Sequence, residues 1–217
     1  QVTNPPIDSL RERHVMSLKT RFSNLANILD EKGQSAHVLV IDSPVLVGED
    51  WDRLRAYFGD AVADIDCTFA AGGNASTLRD AIARIRREAE DAVRAGRSEL
   101  FLSDQNIGEK RVGVAMVLAA AAVHTHLIRK GLRSYASINV RSAEVLDTHA
   151  FAVLIGVGAT TVQAYLSEAA IADRQARGLF GSELTLADCH KRFRKAIDDG
   201  LLKILAKMGI AVISSYR

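Results

Sequence analysis

Cysteine, aromatic residues and an excess of either charge are all scarce in this chain of 217 residues. Its two cysteines, Cys67 and Cys189, lie far apart and form no CxxC pair, so neither a disulfide scaffold nor a metal site is indicated. The 28 basic and 26 acidic side chains nearly balance, which argues against a nucleic-acid surface. Aromatic residues make up only 6% of the chain, so base-stacking platforms are not expected either.

Long apolar runs and targeting signals are missing as well. The longest apolar stretch, residues 112–123, is alanine-rich and too short to cross a bilayer, so it predicts a buried helix. Residues 1–20 are polar and contain prolines without an apolar core, which does not fit a signal peptide. Together with the cysteine usage, these features predict a cytoplasmic protein with no membrane partner.

The two ends of the sequence suggest a piece of a longer polypeptide. It opens on Gln1 rather than on an initiator methionine, and it closes on an apolar, β-rich run over residues 211–217. Because a buried strand needs neighbours on both faces, we expect its continuation to lie outside this sequence. Catalytic machinery is then expected outside it too.

Apolar runs with strand-like patterns alternate with segments of helical period. The predicted strands are 37–42, 63–70, 99–104 and 134–140, with weaker candidates at 160–162 and 211–214. The predicted helices are 78–94, 112–130, 147–155, 165–177 and 186–207, with Gly200 as a candidate break in the last. Residues 1–30 stand apart as helical and charged. Strand–helix–strand units at intervals of roughly 25–35 residues indicate a parallel sheet, either open and doubly wound or an incomplete eight-fold barrel.

Two glycine motifs invite a phosphate-binding interpretation. The run from Gly156 to Gly158 resembles half of a dinucleotide fingerprint, but it follows a helix, so a helix end and a turn are favoured. The segment 72–76 lies between a strand and a strong helix, where backbone amides can hold an anion. The favoured interpretation there is a turn in which Asn74 or Ser76 caps the helix.

Histidines and polar strand ends are the other candidates for chemistry. His124 and His126 are two apart on a predicted helix, so they point to nearly opposite sides and cannot chelate one metal; His149 has no carboxylate at ligand spacing. Asp104, Asn139 and Arg141 lie at the predicted carboxyl ends of strands, the edge that holds ligands in α/β folds. Capping and loop hydrogen bonds are the alternative role for these three.

Blocks of sequence spread over nearly the whole chain resemble the central domain of glutamate synthase large subunits. The matching blocks are 1–8 (QVTNPPID), 10–12 (LRE), 15–18 (VMSL), 42–46 (DSPVL), 102–104 (LSD), 122–129 (AVHTHLIR), 151–159 (FAVLIGVGA), 200–210 (GLLKILAKMGI) and 214–217 (SSYR). They occur in family order. Thr125, where histidine is frequent, and Gln163-Ala164, where Asn-Pro is usual, depart from the pattern and are taken as variation within the family.

The resemblance implies an α/β domain of parallel βα repeats, an incomplete barrel similar to the FMN barrel of the same family. It implies a domain over 1–185 that connects an amidotransferase domain to an FMN and iron–sulfur synthase domain, whose start is placed at 186–217. The parent enzyme makes L-glutamate from L-glutamine and 2-oxoglutarate with NADPH or ferredoxin, and a small NADPH-oxidising subunit is an expected partner. FMN and a 3Fe–4S cluster belong to the parent, and this chain by itself is expected to bind no cofactor and to be inactive.

Few individual residues carry a family role. Met16 matches a methionine that reaches the 2-oxoglutarate pocket, where a soft side chain suits an apolar wall. Asp42, Ser43 and Pro44 match a segment that faces the ammonia tunnel, whose walls should bind ammonia poorly. No catalytic residue or metal ligand is carried over. One rival hypothesis is a self-contained α/β enzyme domain that binds a phosphorylated ligand at 72–76 or at Asp104 and Arg141. A second rival is a plain interaction module.

Overall fold

A computed structural model describes residues 11–22, 38–181 and 183–216 of the chain. The helices are α1 (Glu12–Val15), α2 (Asp50–Phe58), α3 (Ala75–Arg94), α4 (Met116–Arg129), α5 (Thr148–Gly156), α6 (Tyr165–Ala176) and α7 (Leu186–Met208). The strands are β1 (Thr20–Arg21), β2 (Val40–Ile41), β3 (Val45–Leu46), β4 (Val62–Asp66), β5 (Thr68–Ala70), β6 (Glu99–Ser103), β7 (Arg111–Gly113), β8 (Ser137–Arg141) and β9 (Thr161–Gln163). Short 3-10 helices cover Gly59–Ala61, Arg133–Tyr135 and Ile213–Tyr216.

Five parallel strands form the central sheet, in the order β3-β9-β8-β6-β4. Strands β4, β6, β8 and β9 lie side by side in chain order, as the strands of a barrel do, whereas a doubly wound sheet reverses its order. The predicted α/β fold of parallel βα repeats is therefore confirmed, and the sheet stays open rather than closing into a barrel. Two antiparallel pairs, β1-β2 and β5-β7, lie outside it.

One face of the sheet is apolar and lies against the helices. Alternate residues of the central strands point to this face and are almost fully buried: Leu100, Leu102, Ile138, Val140 and Val162. Helix α3 turns Ala81, Ile85, Ala89 and Val93 toward this core, as its apolar period predicts. Burying each large aliphatic side chain contributes roughly 1.5–3 kcal/mol, so this face dominates the stability.

The other face of the sheet is closed by the short helix α2. Trp51 and Leu54 of this helix pack on Phe101 and Leu46 of the sheet, and Phe22 completes the cluster. The rings of Trp51 and Phe101 meet edge to face with their centroids 4.7 Å apart. This second face, called the inner face below, is therefore filled by side chains.

Several boundaries differ from the sequence-based predictions. The segment 211–214 is not a strand: Val212 makes a single bridge to Ser17, and the chain then turns into a 3-10 helix with Ile213 buried. Of the described residues 38–42, only Val40 and Ile41 form a strand, β2, which pairs with β1 outside the central sheet. Helix α4 begins at Met116 rather than at 112, because residues 111–113 pair with β5.

The N-terminal region and α7 also depart from expectation. Of residues 1–30, the described part holds one helical turn, α1, followed by an extended segment; residues 1–10 and 23–30 lie outside the described ranges. Gly200 does not break α7, which runs unbroken past it and packs against α5 and α6. A Cβ at Gly200 would meet the side chain of Thr148, so this glycine permits the close approach of α5 and α7.

The glycines after α5 form a helix end, as favoured from the sequence. Helix α5 ends at Gly156, and Gly158 has a φ of +111°, which returns the chain toward β9. A Cβ at Gly158 would lie inside the contact distance of the His124 ring. Both the backbone angle and the neighbour therefore require glycine here.

Replacing Gly158 with alanine should lower the free energy of unfolding by about 3 kcal/mol, because it adds backbone strain and a clash with a packed ring. The matched control is Gly178→Ala, where φ is +69° and a Cβ would meet nothing within 4 Å. That variant should lose only about 1 kcal/mol. Urea unfolding followed by circular dichroism measures both, and equal losses would contradict the role of the His124 contact.

Candidate functional site

A cavity of about 580 Å³ lies beside the edge strand β3, between α2 and α7. Its apolar wall consists of Leu39, Val40, Ile41, Val45, Leu46, Leu54 and Tyr57, and its polar lining of Asp42, Ser43, Asp50, Arg53, Arg194 and Asp198. This size falls within the usual range for small-molecule sites in proteins. The cavity is therefore the candidate site that the described residues support best.

Ser43 fixes one side of this cavity. Its hydroxyl donates a hydrogen bond of 2.6 Å to Oδ1 of Asp198 and accepts one of 3.0 Å from the Val45 amide. The serine is buried, with 8% of its surface exposed, so it joins the start of β3 to α7. The bond spans 155 positions of sequence, and Asp198 could not be paired with Ser43 from spacing alone.

The three residues predicted to face an ammonia tunnel have different positions. Asp42 and Ser43 line the cavity. Pro44 is buried outside the lining, and its carbonyl accepts a 2.9 Å hydrogen bond from the Val162 amide, which anchors β3 to β9. The structure thus brings two of the three to one cavity.

The opposite side of the cavity carries an ion pair. Asp50, the first residue of α2, pairs with the guanidinium of Arg194 on α7. Oδ2 of Asp50 also accepts a 3.0 Å hydrogen bond from the Val47 amide. Each carboxylate at the described wall, apart from the exposed Asp42, therefore has a donor close by.

Met16 lies elsewhere, in the main hydrophobic core. Only 7% of its surface is exposed, and its amide caps α1 by bonding to the Glu12 carbonyl. It is absent from the lining of the Ser43 cavity. The predicted contact with 2-oxoglutarate stays a prediction.

Asp104 and Arg141 come together at the carboxyl edge of the sheet. The Asp104 carboxylate accepts from the Ser142 hydroxyl at 2.8 Å and from the Ala143 amide at 3.1 Å, so it organises the loop after β8. The Arg141 guanidinium stacks 5.6 Å from the Trp51 ring centroid and 6.0 Å from that of Tyr165. Burial raises the pKa of Tyr165 to about 12, and the nearby Asp104 carboxylate adds to this shift. These contacts correspond to the loop role considered from the sequence.

Asn139 belongs to a separate, buried polar cluster on the inner face of the sheet. Its amide donates a 2.9 Å hydrogen bond to Oε2 of Glu99, and its oxygen accepts one of 2.6 Å from Thr161. Glu99 has no exposed surface, and its Oε1 has no hydrogen-bond partner. Burial raises the pKa of Glu99 from its ordinary value of 4.5 to about 7. Sequence reasoning missed Glu99, although a carboxylate that opens an apolar strand was an available signal.

The remaining candidates have structural roles. Asn74 caps α3 by accepting from the Ser76 amide at 2.9 Å, which confirms the turn interpretation of 72–76. His124 accepts from Arg133 at 2.9 Å, whereas His126 lies 2.6 Å from Glu90, so the two histidines do face different neighbours. Within the described ranges, no three residues of metal-binding type cluster as a site. In the same ranges, no helix is both long enough and apolar enough to span a bilayer.

The buried Glu99 should make stability depend on pH. Its folded pKa of about 7 lies above the ordinary 4.5, so the fold holds the extra proton, and the free energy of unfolding should fall as pH rises from about 4.5 to about 7 and then level off. Glu99→Gln, which keeps the neutral shape, should remove this fall. Urea midpoints between pH 5 and 8 measure it, with the exposed Glu109→Gln as control. An unchanged slope in Glu99→Gln would contradict a buried neutral acid.

Comparison with known proteins places the chain in one family. The family model of the glutamate synthase central domain matches residues 1–217. The chain is 59% identical over 217 residues to the large chain of the NADPH glutamate synthase of Azospirillum brasilense, covering all of this chain and 14% of that protein. It is 37% identical over 232 residues to the chloroplastic ferredoxin-dependent glutamate synthase of Spinacia oleracea, with the same coverage. It is 35% identical over 221 residues to the NADH glutamate synthase of Schizosaccharomyces pombe, covering all of this chain and 10% of that protein.

The chain therefore spans about one seventh or less of the length of these curated relatives. Among solved structures, a flavocytochrome b2 variant with pyruvate bound is similar at a TM-score of 0.46 and 14% identity, covering 81% of this chain and 38% of that one. The full-length match to the family model and the 59% identity agree with each other. The chain belongs to the glutamate synthase central domain family.

Proposed function

We propose that this chain is the connecting domain of a glutamate synthase and forms part of the wall that guides ammonia between two active sites. It joins an amidotransferase domain, which releases ammonia from L-glutamine, to a synthase domain that uses the ammonia and 2-oxoglutarate to make L-glutamate. Family membership and the names of the relatives support this proposal. The 59% identity to an NADPH form favours NADPH as reductant over ferredoxin, with a small NADPH-oxidising subunit as partner.

The Ser43 cavity is the observation that carries the conduit role. Ammonia is a small neutral molecule, and a wall with an unopposed carboxylate would hold it as ammonium. In this cavity Asp198 is bonded to Ser43 and Asp50 is paired with Arg194. Arg53 and the exposed Asp42 complete the polar lining, and aliphatic side chains with Tyr57 form the apolar part of the wall. A wall of this kind offers few strong binding partners to a passing neutral molecule.

The cofactors of the parent enzyme do not fit the described residues. Cys67 and Cys189 are both buried and free, and burial raises the pKa of the Cys67 thiol to about 12, so it is not a ready thiolate ligand for an iron–sulfur cluster. The inner face of the sheet is covered by Trp51 and Leu54 of α2 rather than open to a flavin. We therefore place FMN and the 3Fe–4S cluster in the flanking synthase domain and expect this chain to be inactive by itself.

The extent of the domain and its location belong to the same proposal. A division after residue 185 stays a prediction, and a following domain that starts there would share α7 with the core described above. A cytoplasmic location is consistent with two free, buried cysteines.

The rival function, a self-contained enzyme that binds a phosphorylated ligand, has weaker support. The amide of Ser76 is bonded to the Asn74 side chain, and that of Asn74 to the Thr77 hydroxyl, so these donors of segment 72–76 serve the helix cap. The Asp104 carboxylate is bonded to its own loop. The cap thus uses donors of segment 72–76, and a phosphate beside Arg141 would meet the nearby Asp104 carboxylate, which carries the same sign of charge.

A bulky residue at Ser43 tests the conduit in the intact enzyme. Ser43→Leu adds volume at the cavity wall, so glutamine hydrolysis should continue while less of its ammonia reaches 2-oxoglutarate. The ratio of glutamine hydrolysed to 2-oxoglutarate consumed should rise by about twofold or more. Ser43→Ala, which removes the bond to Asp198 without adding bulk, is the matched control. A normal ratio in Ser43→Leu would remove this segment from the conduit.

Replacing Met16 tests the second role that the resemblance implies. Met16→Ala in the intact enzyme should raise the KM for 2-oxoglutarate, because the apolar wall loses its adaptable side chain. The same change creates a core cavity and costs about 2–5 kcal/mol of stability, so folding has to be measured alongside kinetics. Met16→Leu keeps the apolar volume and should restore both. A folded Met16→Ala enzyme with an unaltered KM would assign Met16 to packing alone.

A further inference from the structure

A second cavity, of about 530 Å³, lies at the amino edge of the central sheet. Its described lining contains three cationic side chains, five hydroxyl groups and no carboxylate. The lining residues are Ser17, Lys19, Arg21, Val40, Arg133, Ser134, Ala136, Ser137, Thr160, Val212 and Ser214. This composition differs from that of the Ser43 cavity, where acidic and basic groups are paired.

The extended backbone of residues 17–21 directs the side chains of Lys19 and Arg21 to the same side of the segment. Ser17, Lys19 and Arg21 alternate along an extended segment, so their side chains share a side. The intervening Leu18 and Thr20 are buried on the other side, at 7% and 2% exposure. The segment is held in place by bonds of Ser17 to the Ala211 carbonyl and the Ile213 amide. Lys19 and Arg21 therefore project from a fixed wall.

Arg133 supplies the third charge and is held by hydrogen bonds from all three guanidinium nitrogens. Its Nε donates to Nδ1 of His124 at 2.9 Å, its Nη2 donates to the Gly158 carbonyl at 2.8 Å, and its Nη1 donates to the carbonyl of Ala136, which also lines the cavity. A guanidinium keeps its charge at any physiological pH, so the cavity retains a permanent positive charge in a set position. Three like charges on one cavity wall repel each other, and an anion would relieve that repulsion.

The hydroxyl groups supply neutral donors around these charges. Thr160 is almost fully buried, at 3% exposure, and lies just before β9, where its hydroxyl oxygen accepts a 3.0 Å hydrogen bond from the Ile138 amide. Serine and threonine hydroxyls can turn to donate to an anion's oxygens. Cations combined with hydroxyl donors are the groups that proteins use to hold phosphate and carboxylate.

We infer that this cavity binds a compact oxyanion with two negative charges, of the phosphate or dicarboxylate class. The inference does not depend on the ammonia conduit, because it uses a different set of polar residues. Binding should weaken as salt is added, since Lys19 and Arg21 are exposed and their attraction is screened.

The test uses the full-length enzyme that contains this chain, titrated calorimetrically at low salt with inorganic phosphate and, separately, with malonate. The double variant Lys19→Ala/Arg21→Ala should bind one of these anions about tenfold more weakly or lose that binding event. The matched control is Arg79→Ala/Arg87→Ala, which removes the same charge from the exposed face of α3. It should titrate like the unaltered enzyme, so anion sites elsewhere in the large protein cancel in the comparison.

The phosphate and malonate titrations distinguish the two anion classes. The site is supported if binding of either anion is weakened in Lys19→Ala/Arg21→Ala but not in the control variant. The inference is overturned if the double variant and the unaltered enzyme bind both anions equally, or if the control weakens binding as much. It is also overturned if neither anion binds, the result expected when an acidic protein segment fills the cavity. If the alanine variant does not fold, Lys19→Gln/Arg21→Gln keeps the apolar stems and answers the same question.

Discussion

A parallel sheet has two faces to bury, and the structure of this chain depends on how the second face is closed. The first face is covered by α3, α4 and α5, as in any βα repeat. A complete barrel would close the second face with its own strands, but five strands leave it open. Helix α2 fills this role, with Trp51 set edge-on against Phe101. The first residue of α2 also reaches α7 through the Asp50–Arg194 pair, and both residues line the Ser43 cavity.

The same closure explains the unusual state of Glu99. Its partners Asn139 and Ser137 are neutral, and no described cation is near enough to affect its pKa. Protonation is therefore the least costly way to keep this carboxyl in a dry site. Asp50 is stabilised differently, because it lies at the cavity wall and pairs with the guanidinium of Arg194. Two carboxylates of one domain are thus satisfied by a proton and by an ion pair respectively, according to how far each lies from water.

Most helices and strands could be predicted from the regular spacing of apolar residues in the sequence. The long apolar stripe of α3 and the runs of β6 and β8 were found within a few residues, because one face of each is buried along its whole length. Helix α2 escaped prediction, since only Trp51 and Leu54 of its nine residues are buried. The segment 211–214 has strand-like composition, but it pairs at one point only, and pairing is a tertiary property. Only part of the candidate site could be predicted from the sequence. The family resemblance indicated Ser43, whereas Asp198 and Arg194 lie over 150 positions away along the chain and reach the cavity only through the packing of α7.

The two cavities differ in the charges of their linings. Val40 contributes to both, so the cavities are neighbours. In the Ser43 cavity, Asp50 pairs with Arg194, Asp198 bonds to the Ser43 hydroxyl, and Arg53 and the exposed Asp42 complete the polar lining. In the second cavity, the described lining carries only positive charge, which repels ammonium and attracts anions. Ammonia that became protonated in the first cavity would gain nothing by crossing toward the second, because Lys19, Arg21 and Arg133 oppose its charge. In the proposed conduit, this cationic neighbour would oppose the entry of ammonium and leave neutral ammonia, the nucleophilic form, along the Ser43 wall.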